Sequence, residues 1–158
     1  SLVATGFCRF EEITEEMMDR MMAINIKGPF LCTQAIIPDM VAAHWGRIVN
    51  ISSSSAQTGA PMMAHYATSK GGVIAFTKTL AREYAEKGIT VNNIPPGFVD
   101  TPMLRASPVD VDAQAAQSPM KRAGSPEDIA AACSYLVSEA AGYVTGHTLG
   151  VNGGRVMP

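Results

Sequence analysis

The chain has 158 residues, of which 47% are apolar and 16% charged, and its formal net charge is −2. That length suits one domain spanning residues 1–158, and the apolar share excludes a disordered chain. The near-neutral charge, without a basic cluster, argues against nucleic acid as a partner, and no apolar run reaches the roughly 18 residues that a membrane helix needs.

Thr14 opens the first element. The run Thr-Glu-Glu-Met reads as a capping box, with Glu15 and Glu16 favouring a helix N-terminus, and predicts a helix from Glu15 to about Ala43. Met17, Met18, Met21 and Met22 form its core stripe. Gly28-Pro29 interrupts it, because proline has no N–H for the ladder. A break near Asn25 would free a backbone carbonyl there.

GRIVNISS, Gly46 to Ser53, reads as a buried strand with Ile48, Val49 and Ile51, running into the serine turn Ser52 to Ser55. HYATSKGGVIAFTKTLAREYAEKG predicts a long amphipathic helix, and ITVNNIPPGFVDTPM a second buried strand ending in a Pro-Gly loop. From Thr101 the chain is rich in Ala and Gln and broken by Pro102, Pro108 and Pro119, and a connection of this length is usually functional. A capped helix and a last strand with Thr148, Leu149 and Val151 close the sequence. Short apolar strands separated by helices predict an α/β fold with a parallel sheet covered on both faces.

Cys8, Cys32 and Cys133 are odd in number, far apart and without metal-ligand spacing. They read as small core residues in a reducing cytosol, and no metal is expected. His44, His65 and His147 show no spacing for metal or triad chemistry.

Tyr66 and Lys70 lie four apart, on one helix face, with Ser53 thirteen residues before the tyrosine. An ammonium beside a phenol favours phenolate and is expected to lower the tyrosine pKa toward neutrality. Such a tyrosine can exchange a proton with a carbonyl or alcohol oxygen that a serine hydroxyl holds. Spacing favours Ser53 over Ser54 for that serine. Tyr84, with Lys87 three residues on, is a poorer rival, because no strand-borne serine precedes it at a matching distance.

With these motifs in order, the sequence resembles the short-chain dehydrogenase/reductase family, nearest to its ketoacyl-acyl-carrier-protein reductase type. The resemblance covers essentially the whole chain. It implies a Rossmann-like, doubly wound parallel sheet with helices on both faces. It makes Ser53 the substrate-orienting serine, Tyr66 the acid/base, Lys70 the residue that tunes it and holds the cofactor ribose, and Asn25 the holder of a proton-relay water through its backbone carbonyl. Pro96, Gly97, Val99 and Thr101 match the loop that meets the nicotinamide carboxamide and adjoining phosphate. Residues 101–122 match the substrate lid.

The family's glycine-rich phosphate turn has no counterpart: Gly71-Gly72 falls inside the predicted catalytic helix and Gly153-Gly154 after the last strand. The first strands and that loop would amount to about 90 residues in three βα units. The expectation is therefore the C-terminal portion of a longer enzyme, inactive by itself. The whole would be cytoplasmic and use NAD or NADP to move hydride between the nicotinamide and a ketone or secondary alcohol, possibly a 3-oxoacyl thioester. The resemblance further implies a homo-oligomer, most often a tetramer. The alternative is a non-catalytic chain serving as an oligomer scaffold.

Overall fold

Apolar strand residues set the architecture of the computed structural model, which describes residues 7–157. Helix α1 (Glu15–Met22) starts at Thr14, whose hydroxyl accepts the Met17 N–H at 3.2 Å. Only this forward half of the expected capping box forms, because Met17 has no side-chain acceptor to return the bond. The long first helix is broken as expected, in a particular way: Ala23–Lys27 is a π turn, and α2 (Gly28–Ala43) resumes with Pro29 in its first turn. In an unbroken α-helix the Asn25 carbonyl would take the N–H of residue 29. Residue 29 is proline, so the ladder widens there instead.

Strands β1 (Gly46–Ile51) and β2 (Ile89–Ile94) pair in parallel, Ile48 opposite Val91 and Asn50 opposite Asn93. After β1 a short helix α3 (Ser55–Thr58) precedes the long helix α4 (Ala64–Tyr84), which crosses to β2. Ile48, Ile89 and Val91 form the core of one sheet face with Leu80 and Ala81 of α4, and Ile37, Met40 and Val41 of α2 pack on them. Beyond β2 come α5 (Pro102–Arg105), α6 (Val111–Gln117) and α7 (Pro126–Val137). Helix α7 carries a complete capping box, Ser125 with Asp128, and packs against both strands. Arg47, whose side chain alternates to the face opposite Ile48, reaches Glu139 just after α7. Helices therefore cover both faces of a parallel sheet.

Three expectations need correction. Ile51 is 42% exposed, because β1 is an edge with no second partner strand among the described residues. Cys32 is exposed on α2, and Cys8 and Cys133 are only half-buried, so the cysteines are not core residues. The last strand is reduced to two parallel bridges, Asn93 with Thr148 and Pro96 with Val151. The register between them is constant, but Pro95 falls where the ladder needs an N–H and has none to give. The Leu149 N–H still donates to Asn93 and the Gly97 N–H to Val151, at 2.8 and 3.1 Å.

Among the described residues no helix is long and apolar enough to cross a membrane.

Candidate active site

Because β1 and β2 are parallel, both leave the sheet at the same edge, where ligands of open α/β sheets bind. β1 exits into Ser52 and Ser53, with the Ser52 N–H on the Ile94 carbonyl at 2.9 Å and the Ser54 N–H on the Pro96 carbonyl at 3.0 Å. The serine turn and the Pro-Gly loop are thus stitched together backbone to backbone. The Ser53 hydroxyl accepts two bonds from Ser55, one from its N–H at 3.2 Å and one from its hydroxyl at 2.7 Å. That fixes its rotamer.

Helix α4 brings Tyr66 and Lys70 to this edge. The Lys70 ammonium stands over the Tyr66 ring, 5.8 Å from its centre, and donates to the Ile51 carbonyl at 3.0 Å. That second bond pins α4 to the carboxyl end of β1. The expected lowering of the Tyr66 pKa is not what the site does. Burial raises it above the ordinary phenol value, and the hydrogen bond with Ser53 offsets only part of that rise. Lys70 is itself pushed down by burial. Its charge is spent on Ile51 and on the ring face, so the cost of desolvating a phenolate dominates. A phenol with a raised pKa is fully protonated at neutral pH, which suits a proton donor to a carbonyl.

Asn25 is buried in the π turn, and its side-chain N–H groups meet Ser69 Oγ at 2.9 Å and Met21 Sδ at 3.1 Å. Gly72 makes room for the turn: a Cβ there would lie 2.6 Å from Ile26 Cδ1. Motif spacing alone does not mark Ser69. A signal existed, since α4 buries His65, Ser69, Val73 and Thr77 at four-residue steps, and polar residues on a core stripe demand partners. Thr77 finds the Asn50 amide at 2.9 Å.

In the Pro-Gly loop the Pro96 carbonyl and Gly97 N–H are already committed to Ser54 and Val151. Val99 bridges to Gly124 through the flanking Phe98 carbonyl and Asp100 N–H, so its own N–H and carbonyl point the other way and meet no partner among the described residues. Thr101 caps α5, its hydroxyl accepting the Leu104 N–H at 3.2 Å. Arg105 grips Asp100 with two bonds of 2.7 Å and also reaches Asp112 at 3.1 Å, tying the loop to α5 and α6.

Ser53, Tyr66 and Lys70 thus gather where the sheet ends, and Asn25 meets α4 beside them through Ser69. Fold and cluster together define an α/β domain with a serine, a tyrosine and a lysine at the carboxyl edge of its strands. A family model described as enoyl-(acyl carrier protein) reductase matches residues 3–155. The chain belongs to that family, among the short-chain dehydrogenase/reductases. It is 46% identical over 146 residues to nodulation protein G of Azospirillum brasilense, covering 92% of this chain and 59% of that protein. It is 42% identical over 149 residues to an acetoacetyl-CoA reductase of Cupriavidus necator, covering 94% and 61%. It is also 42% identical over 144 residues to the 3-oxoacyl-[acyl-carrier-protein] reductase FabG of Staphylococcus epidermidis, covering 90% and 59%. The chain therefore spans about three fifths of the length of these relatives.

Lys70→Met tests the electrostatics of the pair. Loss of the cation over the ring should raise the Tyr66 pKa further, since only the protonated phenol is indifferent to that charge. An alcohol oxidation that used Tyr66 as base would climb as pH rises through the Tyr66 pKa, so its ascending limb should move up. The KM for the nicotinamide cofactor should rise as well. A limb that stays in place shows that Lys70 does not tune Tyr66.

Proposed function

We propose that this chain forms the catalytic portion of an NAD(P)-dependent oxidoreductase that interconverts a ketone and a secondary alcohol, with a 3-oxoacyl thioester as the favoured substrate. The observation that carries the reading is the half-buried Tyr66 phenol held between the Ser53 hydroxyl and the Lys70 ammonium. Tyr66 gives or takes the proton at the substrate oxygen, Ser53 holds that oxygen, and Lys70 holds the cofactor ribose. The names of the relatives, two of them reductases of acetoacetyl-CoA and of a 3-oxoacyl carrier thioester, support the substrate class.

The residues present fit the nicotinamide half of the cofactor. The unpartnered Val99 N–H and carbonyl match the acceptor and donor of a carboxamide, while Pro96 and Gly97 shape the loop and Thr101 starts the helix beside it. When bound, the nicotinamide supplies or accepts hydride at its C4 position. Residues 101–122, tied by Arg105, act as the lid over the substrate.

The cellular setting proposed is the cytoplasm, with assembly as a homotetramer. Ile24, Phe30, Leu31 and Ile36 are each 42–49% exposed on the π turn and α2, a patch that suits burial between copies. Light scattering on the whole gene product reads the assembly, and an active monomer would overturn it.

The functional test is oxidation of NADPH or NADH by the whole gene product with acetoacetyl thioesters, followed by nicotinamide absorbance. No oxidation with thioesters or simple ketones refutes the reading. Residues 1–158 alone should bind neither NADH nor NADPH measurably in calorimetry, because no glycine-rich turn among them offers a helix N-terminus to the pyrophosphate.

A further inference from the structure

Along the buried stripe of α4, Thr77 ties helix to strand: its hydroxyl accepts the Asn50 amide at 2.9 Å and donates to the Val73 carbonyl at 2.9 Å. Ser69, two turns closer to the catalytic pair, makes the same kind of tie to a different target. Its hydroxyl, in a residue 0% exposed, accepts from Asn25 Nδ2 at 2.9 Å and donates to the Tyr66 backbone carbonyl at 2.8 Å. The other contact of that amide is the Met21 thioether, a weak acceptor. Ser69 is therefore the only oxygen that holds the Asn25 side chain among the described residues. Apolar contact between Ile26 and Gly72 seats the π turn on α4, but such contact leaves its register free to slide. A directional bond at full burial does not.

We infer that Ser69 is a positioning residue for proton transfer: it sets the register of the π turn against the catalytic helix, so that the Asn25 backbone carbonyl is presented to Lys70. The inference rests on the hydride-transfer reading above. Pro29 deprives that carbonyl of its α-helical N–H donor. Lys70 follows Ser69 directly in the chain, so the residue that holds Asn25 and the residue to be reprotonated move as one. Loss of the hydroxyl leaves a buried amide facing a thioether alone, the turn relaxes, and proton supply to Lys70 slows. Ser69 touches Tyr66 only at its backbone, so the phenol and Ser53 keep their geometry.

Ser69→Ala in the whole gene product tests this with two readouts. Turnover should fall about 3- to 10-fold, the factor that corresponds to one net hydrogen bond, with the cofactor KM unchanged. Raising the concentration of a small buffer acid such as imidazolium should restore the loss, since an external donor replaces the relay. Amide hydrogen exchange in residues 23–27 should quicken while α7 keeps its protection. Unchanged turnover and exchange overturn the inference, and so does a loss of turnover that buffer does not relieve, because the tie would then be structural alone. If the wild-type protein transfers no hydride, the functional reading is what fails. Exchange in residues 23–27 then decides the tie by itself, and unchanged exchange overturns it.

Discussion

Tyr66→Phe lowers turnover of the whole gene product by about 10²-fold or more, the scale of general acid/base catalysis, and leaves the fold intact. The substitution keeps the ring, so the Lys70 ammonium retains its place over the aromatic face and its bond to Ile51. What disappears is the one proton donor between Ser53 and the substrate oxygen. The raised pKa of Tyr66 sharpens the expectation: at neutral pH the wild-type phenol holds its proton and is ready to give it to a carbonyl. Initial rates in both directions, with circular dichroism to check the fold, measure the effect. Near-normal turnover would remove Tyr66 from the chemistry.

Gly88→Ala carries the largest expected loss of stability. Gly88 ends the 3-10 turn Ala85–Lys87 in the left-handed region, at φ 75°, and a Cβ there would overlap the carbonyl oxygen of His44. His44 is itself left-handed, at φ 50°, as it ends α2. Two chain reversals cross at this point, one before each strand, and the Gly88 carbonyl accepts bonds from the Gly46 N–H and from Arg47. Strain of this kind costs about 1–3 kcal/mol, and the backbone overlap adds to it. A fall in Tm of roughly 5–10 °C follows for a chain of this size. Gly59→Ala is the control. Its φ is 73° at ψ 162°, a region as closed to L residues, but a Cβ there meets nothing, so the substitution should add strain without overlap. A Gly88→Ala protein as stable as Gly59→Ala would show that the crossing yields.

Much of this was legible in the sequence because local chemistry and global fold agreed. Ile48, Ile89 and Val91 alternate as core strands do, and Ser125 with Asp128 caps α7. Pro29 announced the break beside Asn25, though not that it would be a π turn. What escaped depended on contacts between distant segments. The pKa of Tyr66 is set by how deeply α4 is buried, which spacing to Lys70 does not reveal. The exposure of Cys32 follows from which face of α2 turns outward, and that face shows no clear amphipathic pattern. The last strand failed because of Pro95, a residue on its neighbour rather than its own.

That interrupted seam has a mechanical consequence. With Pro95 as the missing stitch, the segment 148–151 is fastened to β2 and the Pro-Gly loop at only a few separate points. It can peel from one end without unzipping β1 from β2. The loop proposed to read the nicotinamide thus borrows stiffness from the segment that follows residue 148, through the Gly97 to Val151 bond and the Arg155 guanidinium over the Phe98 ring. A bulky fusion joined just beyond Met157 would tug on that stitch. Purification handles and reporters are therefore best kept away from this end when cofactor affinity is the quantity to be compared.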